Sequence, residues 1–525
     1  MAYSQAWLES TARRCILVEA TVNKVGTGTT TLYFSTTGFI TTSGDVFYQP
    51  VVVGGLKFNE SLSMSGAIST TYGDVQLNNK NGEFDSYLDA SQYIWANGLI
   101  TIYYGDPTWV CQTATNVRAD FKKIFNGVIV DIDSKDRTTL SIKVADKLQK
   151  LNSSLTESII GTYGTWAGGS TAQTNANALK PLVFGEVFNI SPILIDPLNN
   201  EYYLNNGPTQ ELIDIRDNGV PISSYTFYPS TGKVRLTSTP VGAVTASLKG
   251  ISTSVAFTDT NATQQVSTYR NNVASIIALI VSQYGISGNQ ISLTTDDIDF
   301  KNFNSFSTQY QQLIGIFIAD RQNTLQVCND ILNTFSAQLF CTKDGLLQII
   351  VVGTPIDTAI VPAVTITTSD IINPTLAISS RSSVVAATKL GYCKNWTVQP
   401  GLITAIPQGH KDSYATEYLT YTSTNATAQT NYKLTVVPAE KDTYFIVDTE
   451  AKAEADRLNN FYSRVHTVFS FTGTSKLLFL QLGQRVTLIH PRFQLYNNGY
   501  GVDCQVISLS PDWTRGTIDI EVMTL

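Results

Sequence analysis

Short runs of alternating apolar and polar residues, each closed by a turn signal, restrict the fold of this chain more than any other feature. In the run TLSIKV, the side chains of Leu140, Ile142 and Val144 fall on one face of an extended strand, and polar side chains fall on the other. The preceding run VIVDIDS reaches it through a short polar turn, which predicts a hairpin with one buried face. Repeated units of this kind build antiparallel sheets.

The same pattern recurs along most of the chain. Turn pairs at Asn218-Gly219, Thr231-Gly232 and Asp344-Gly345 separate apolar runs, and glycine permits the positive φ that tight turns need. Near the end of the chain, CQVISLS and TIDIEVM flank the turn PDWTRG. The sequence therefore predicts a mainly β, multidomain protein with antiparallel barrel or sandwich domains.

A few segments have helical periodicity instead. Residues 271–284 carry apolar side chains in one stripe, with Gly285 as the predicted C-terminal stop. A second helix is predicted over about 324–336, and the two helices and the following hairpin predict a small α+β domain. A third helix is predicted to start after Asp448, acting as the N-cap.

The length of 525 residues allows roughly three to five domains. Trp166 lies in a Gly-rich stretch that reads as a loop or arm, and its indole either anchors a neighbouring subunit or covers its own domain. The predicted segments are an N-terminal barrel-like domain (1–150), the loop or arm (151–178), an inserted β domain (179–250), the α+β domain (251–370) and a C-terminal barrel-like domain with one helix (371–525).

The charge pattern narrows the function classes. Charged residues make up 15% of the chain, against a usual share of about 25%. The net charge is −7 and no basic run exists, so the electrostatic footprint of a nucleic-acid-binding protein is missing. A polar but weakly ionic surface favours a structural or assembly subunit.

Cysteine usage and the absence of targeting segments indicate the compartment. The six cysteines are widely spread without a CxxC pair, which argues against a zinc ribbon. Their even number permits disulfides, but so few in so long a chain favour reduced, buried thiols. The N-terminus lacks a signal-peptide pattern, and no run approaches the ~18 apolar residues of a membrane span. We expect synthesis in a cytoplasm and no membrane insertion by the chain itself.

One acidic stretch, YGDVQLNNKNGEFDSYLD at residues 72–89, raises three interpretations. A calcium-binding EF-hand loop fails, because setting its glycine at the sixth position puts leucines at the first and twelfth ligand positions. A tight turn at Asn81-Gly82 fits the alternating residues before it. Asp74, Glu83 and Asp85 also permit a carboxylate group for glycoside hydrolysis.

Other chemical motifs are missing from the sequence. There is no GxSxG, HExxH or phosphate-binding loop. His410, His466 and His490 are far apart, the latter two are interpreted as strand-face residues, and nothing supports a thiol nucleophile from Cys111 with His490. The sequence therefore predicts no catalytic, cofactor-binding or metal-binding residue, no cofactor, and a protein that is not an enzyme.

Three regions together resemble the tail hub proteins of tailed bacteriophages. They are residues 72–89 with the runs GLITIYYGD and FNGVIVDIDSKDRTTLSIKVADKLQKL, then KPLVFGEVFNISPILID with DNGVPI and TGKVRLTSTPVG, and finally EAKAEADRLNN with the residues from LGQRVTLIHP onward. The resemblance implies a virion protein at the tail tip or baseplate, in which ring domains of a homotrimer join the tail tube to a central fibre or spike.

The resemblance also implies partners. They are a distal tail or tube protein, the tape-measure protein and the central fibre or spike, with DNA only passing through the lumen. The alternative function is a tail-associated receptor-binding or cell-wall glycan-degrading protein. A secreted β-sandwich adhesin is disfavoured by the missing signal peptide.

Overall fold

The computed structural model describes most of the chain. The described residues are 5–9, 13–41, 46–54, 57–109, 120–161, 175–252, 269, 271–284, 293, 295–356, 363–402 and 406–525. They form 31 strands and seven α-helices, so the prediction of a mainly β protein with several antiparallel sheets is confirmed. Within these ranges, no helix combines the length and the apolar character needed to span a bilayer.

The elements have the following bounds. The helices are α1 (Gln5–Glu9), α2 (Val273–Gln283), α3 (Phe300–Gln309), α4 (Thr324–Asn333), α5 (Gln408–Ala415), α6 (Ala426–Tyr432) and α7 (Asp448–Tyr462). The strands are β1 (Cys15–Lys24), β2 (Gly28–Ser35), β3 (Phe39–Ile40), β4 (Phe47–Pro50), β5 (Val52–Gly54), β6 (Phe58–Leu62), β7 (Ile68–Tyr72), β8 (Val75–Asn78), β9 (Tyr93–Gly105), β10 (Lys122–Asp136), β11 (Thr139–Ala145), β12 (Leu182–Ile190), β13 (Ile193–Asp196), β14 (Glu201–Tyr203), β15 (Thr209–Asp217), β16 (Val220–Pro221), β17 (Tyr225–Tyr228), β18 (Lys233–Leu236), β19 (Val244–Ile251), β20 (Gly315–Ile318), β21 (Ala337–Cys341), β22 (Leu347–Val351), β23 (Val364–Ile366), β24 (Ala377–Arg381), β25 (Ala387–Tyr392), β26 (Leu419–Thr424), β27 (Lys441–Asp442), β28 (Thr467–Gly473), β29 (Arg485–Leu488), β30 (Val502–Asp512) and β31 (Thr517–Thr524).

The chain divides into two compact units. Unit 1 consists of residues 1–150, 338–382 and 466–525, and unit 2 consists of residues 151–337 and 383–465. Each unit is therefore assembled from separate stretches of sequence. The five-segment domain division made from the sequence stays a prediction.

The nine-stranded sheet of unit 1 is rolled. Its order is β3-β4-β2-β1-β9-β10-β11-β8-β5, which places β4 and β5 near opposite ends although only Val51 separates them in the chain. Because consecutive Cα atoms are about 3.8 Å apart, the sheet curls until its two ends lie side by side. β4 pairs with β2 and β5 pairs with β8, so residues 47–54 bridge the seam. The strand order of the described residues remains open, so the roll is not a closed barrel.

A second sheet of unit 1 shares its core with the roll. Its order is β23-β29-β30-β31-β28-β24, and the hairpin β6–β7 joins it where Glu60 pairs with Leu509. One cluster of buried side chains includes residues of both sheets. Within it the Trp513 ring, 1% exposed, lies 5.3 Å from the Tyr104 ring. The first and last stretches of the sequence thus fold around one core.

Three sheets lie in the described part of unit 2. They have the orders β16-β15-β19-β12-β20, β13-β14-β18-β17 and β26-β25-β27. In the first of them, Gly185 of β12 lies directly opposite Gly315 of β20. A Cβ atom on Gly315 would lie 1.4 Å from the Glu186 carbonyl oxygen, so the close approach of these two strands requires glycine at that position.

The predicted hairpins and turns are confirmed. β10 pairs with β11 and β30 pairs with β31, both antiparallel. Gly219, Gly232 and Gly345 have φ values of 84°, 64° and 83°, in the left-handed region where glycine has no Cβ penalty. Local turn chemistry was therefore readable from the sequence.

Two predicted helices are confirmed, and one start position is corrected. α2 begins after Asn272, whose side chain accepts a hydrogen bond from the Ala274 backbone, and α4 begins at Thr324 as predicted. Asp448 was predicted to be the N-cap of α7, but it is the first helical residue, and Val447 occupies the N-cap position. The Asp448 carboxylate accepts from the adjacent Thr449 N–H instead, at 2.8 Å. Gly285, the predicted helix stop, lies outside the described residues.

Four further helices, α1, α3, α5 and α6, were missed from the sequence. α3 is rich in Asn, Ser and Thr, which have low helix propensity. Its signals are the N-cap Asp299, whose carboxylate accepts from two backbone N–H groups, and a phenylalanine at every third position facing inward. α6 begins after Asn425, which accepts from the Ala428 N–H at 3.0 Å.

Unit 2 encloses an ionic cluster on α7. Arg457 donates two hydrogen bonds to the fully buried Glu454 carboxylate, at 2.8 and 2.6 Å, and one to the Phe335 carbonyl at 3.0 Å. Near them, Lys441 Nζ donates to Ser336 Oγ at 2.9 Å. Burial lowers the pKa of Lys441 to about 8, although the Glu454 carboxylate acts in the opposite direction.

The depressed pKa of Lys441 predicts a pH-dependent stability. Between about pH 8 and 10, lysine in the unfolded chain, with an ordinary pKa of 10.5, holds a proton that the folded protein lacks. Relative to Lys441→Met, the free energy of unfolding of the unmodified protein is therefore expected to rise with pH, by up to about 1.4 kcal/mol per unit. Urea unfolding of both proteins at pH 7, 8, 9 and 10 measures the difference. A difference that stays constant over this range would contradict the burial of the ammonium.

Candidate assembly surface

The acidic stretch at residues 72–89 forms a turn, as the turn interpretation predicts. Gly82 has a φ of 72°, and its N–H donates to the Asn79 carbonyl at 2.9 Å. The buried Asn79 side chain accepts from the Phe84 N–H at 2.9 Å and donates to the Asp85 carboxylate at 2.7 Å. The chain then enters a short 3-10 helix at 85–88 before β9, rather than passing directly into a strand.

The three carboxylates of that stretch have separate surroundings. Asp85 holds the turn through Asn79, Glu83 is exposed, and the half-buried Asp74 precedes β8. None of them lines the two cavities described below. The hydrolytic interpretation stays a prediction.

The histidines also lie in separate places. His410 is exposed on α5 in unit 2, whereas His466 and His490 belong to unit 1. His466 is buried just before β28, and its Nδ1 lies 2.7 Å from the Thr524 carbonyl oxygen. His490 follows β29, and its Nδ1 accepts from the Arg492 N–H at 3.1 Å. Both flank strands rather than lie within them, which corrects their assignment as strand-face residues.

The described part of the chain contains no group of three or more His, Cys, Asp or Glu side chains placed to hold a metal ion. Five cysteines are described, and all of them are free thiols. Cys111 and Trp166, which the sequence analysis singled out, lie outside the described residues.

A groove of about 340 Å³ in unit 1 contains His490. It is lined by Thr368, Ile371, residues 373–376 and residues 490–493, including Arg492 and the partly exposed ring of Phe493. None of the lining residues is acidic, so this groove offers no carboxylate pair for general acid and base catalysis. Burial and the Arg492 charge lower the pKa of His490, which favours a neutral imidazole near pH 7.

A second cavity of unit 1, of about 60 Å³, lies beside buried charges that the sequence analysis missed. Glu60, 2% exposed, forms an ion pair with Lys343 at 3.7 Å, and burial raises the pKa of the Glu60 carboxyl. Next to it, the Tyr72 hydroxyl donates to the buried Asp146 carboxylate at 2.9 Å. The signal in the sequence was the alternation of Phe58, Glu60 and Leu62, which puts Glu60 on the inward face of β6. These contacts tie the β6–β7 hairpin to its neighbours, as a structural network does.

Two strand regions in the described part of unit 1 are exposed to solvent: the edge strand β24 and the β3–β4 pair. β24 ends the second sheet of unit 1, pairs only with β28 in the described residues, and has all five of its residues exposed. Ile40 and Phe47, which pair across β3 and β4, are 61% and 52% exposed. Unpaired edges with apolar side chains are ready templates for pairing with another chain. We therefore take β24 as the candidate assembly surface.

Comparisons with known proteins give likeness in structure alone. No family model matches this chain, and no curated protein matches it in sequence. A tail protein from Neisseria meningitidis MC58 is similar with a TM-score of 0.37 and 10% identity, over 96% of each chain. A chain from the virion of a native gene transfer agent particle has a TM-score of 0.41 and 10% identity, over 72% of this chain and 91% of that one. The 43 kDa tail protein of prophage MuSo2 from Shewanella oneidensis has a TM-score of 0.36 and 11% identity, over 97% and 98%. These structural neighbours are phage tail and virion proteins, and at such low scores the function has to be argued from the chain itself.

Proposed function

We propose that this chain is a structural virion protein that forms the hub or baseplate ring of a phage tail. In this role a homotrimer joins the tail tube to a central fibre or spike and surrounds the channel through which DNA leaves. Its partners are a distal tail or tube protein, the tape-measure protein and the fibre or spike. The role requires no catalytic residue.

The exposed edge strand β24 is the observation that carries this proposal. A solitary protein protects its sheet edges with charge, proline or a covering segment, because open edges aggregate. β24 has five exposed residues and only one charged side chain, that of Arg381. An edge of this kind is explained when a partner chain covers it in an assembly.

The composition supports the same role. Charged residues make up 15% of the chain, which suits a surface that is largely covered by neighbouring subunits. The net charge of −7 suits the wall of a channel, because repulsion between the wall and the phosphates lets DNA pass without being bound. The sequence resemblance to tail hub proteins points to the same place in the particle.

Mass measurement and particle analysis test the proposal. Light scattering of the purified protein at micromolar concentration is expected to give three times the chain mass of 57.4 kDa. Mass spectrometry of purified particles is expected to find the chain among the tail proteins. A strictly monomeric protein that is absent from the particles would overturn the proposal. Cleavage of cell-wall glycan by the intact protein, lost in Asp85→Ala, would favour the glycan-degrading alternative instead.

A further inference from the structure

We propose that residues 435–440 of one copy dock as a parallel strand along β24 of a neighbouring copy. This inference rests on the proposed function as an assembly subunit and names the contact that joins the subunits. The segment belongs to unit 2 and β24 to unit 1. In this arrangement one copy supplies the strand and the next copy supplies the edge. Contacts between two different surfaces of identical subunits generate rings when the rotation closes.

The segment has the properties of a strand that lacks its sheet. It lies between α6 and β27 with the sequence TVVPAE, in which Thr435, Val436 and Val437 are β-branched residues with high strand propensity. Within the described residues, the backbone N–H groups of residues 435, 436, 437 and 439 have no hydrogen-bond acceptor. The segment therefore has unused main-chain donors along most of its length.

The side chains of the segment are uncovered as well. Val436 is 82% exposed and its neighbour Val437 is 49% exposed. Successive side chains of an extended chain point to opposite sides, so neither side of this segment is covered. Exposed valines on both sides are expected where a partner surface packs against the segment.

β24 offers an edge of matching length and chemistry. Its five residues and the six of the segment each span roughly 16–20 Å in extended form. In parallel register with Val436 opposite Ala377, Val437 falls opposite Ile378, ahead of the bulge between Ile378 and Ser380. Apolar residues then meet apolar residues, while Glu440 stays paired with Lys389 of its own chain at 3.0 Å. Antiparallel pairing of the same residues would instead put Val436 beside Arg381 and lose the apolar match.

Pro438 fits this arrangement. In a parallel pair, alternate residues of a strand direct their N–H and C=O groups to one neighbour. If residues 435, 437 and 439 face β24, Pro438 lies at a position that needs no N–H donor. The proline also limits further growth on the outer side, which keeps the contact to one added strand.

Disulfide trapping tests the contact. Directly opposite residues on neighbouring strands lie within the 4.4–6.8 Å Cα separation that a disulfide needs. A chain with Val437→Cys, mixed with a chain with Ile378→Cys and oxidised, is expected to give a covalent heterodimer, and the double variant is expected to give covalent multimers. The matched control pairs Ile378→Cys with Val241→Cys, a residue that is 99% exposed, and the unmodified protein controls for the native thiols.

A charge placed in the contact gives a second, independent measurement. Val437→Lys is expected to weaken association of the copies about fivefold, the effect of losing one apolar cross-strand pair. The melting temperature of the dissociated protein at low concentration is expected to stay the same, because Val437 is 49% exposed. Trimers that form normally but give no more cross-link at Val437 than at Val241 would overturn the docking and leave the proposed function standing. Selective cross-links in a protein that is absent from particles would support the docking and overturn the proposed function.

Discussion

The Gly315→Ala variant is expected to lose about 3–5 kcal/mol of unfolding free energy, or to fail to accumulate as folded protein. The added Cβ would lie 1.4 Å from the Glu186 carbonyl oxygen and 2.4 Å from its carbonyl carbon. Both atoms belong to backbone in the paired strand β12, so a side-chain rotation cannot relieve the overlap. β20 would have to separate from β12, and the pairing from Leu182 to Gly185 would break.

Gly409→Ala is the matched control in the same unit. A Cβ atom there meets nothing within 4 Å, and the residue lies in α5. Alanine in a helix is expected to leave stability unchanged or to raise it by up to about 1 kcal/mol. Denaturant unfolding of the two variants beside the unmodified protein measures the difference. Equal stability of the two variants would show that β12 and β20 are not as close as described.

Arg457→Met is expected to cost about 3–5 kcal/mol, because it leaves the Glu454 carboxylate buried without its main partner. Glu454 is 0% exposed at its side chain, and Arg457 supplies two of its short hydrogen bonds. The variant also removes the donor to the Phe335 carbonyl. Methionine keeps much of the apolar volume of the arginine stem, so the loss reports the charge more than the packing.

Arg515→Met provides the comparison on the surface. Arg515 and Asp512 form a pair with the same i,i+3 spacing, but the nitrogen–oxygen distance is 3.6 Å and the arginine side chain is 83% exposed. Its loss is expected to change the free energy of unfolding by less than about 0.5 kcal/mol. Thermal or denaturant unfolding in low and high salt separates the two cases. A small, salt-sensitive loss in Arg457→Met would mean that the pair is solvated.

The turns, hairpins and helices that were predicted correctly are those that neighbouring residues along the chain determine. The turn at Gly82 and the hairpins at Gly219, Gly232 and Gly345 follow from the need for positive φ, and α2 follows from its apolar stripe. The boundaries of α7 were wrong by one residue at the start, because an aspartate in the first turn is favourable at either position.

Long-range pairing was beyond the reach of the sequence. The alternation in β6 shows that Glu60 points inward, but it does not show that Leu509 of β30 lies opposite. A hydrophobic pattern specifies which face is buried and leaves open what covers it. For the same reason the shared core of unit 1 and the buried partner of Glu60, Lys343, were not predicted. The candidate assembly surface was missed because exposure of a strand is a property of the folded sheet and not of its residues.

The seam of the rolled sheet has a mechanical consequence. Force that widens the roll is carried across the seam by the covalent chain at residues 47–54, which runs from the partner of β2 to the partner of β8. The hydrogen bonds of a strand ladder break one after another under load. The covalent segment 47–54 instead extends until it is straight, at roughly 27 Å for eight residues. The circumference of the roll therefore has an upper limit, set by the length of residues 47–54. The limit holds as long as β4 stays paired with β2 and β5 stays paired with β8.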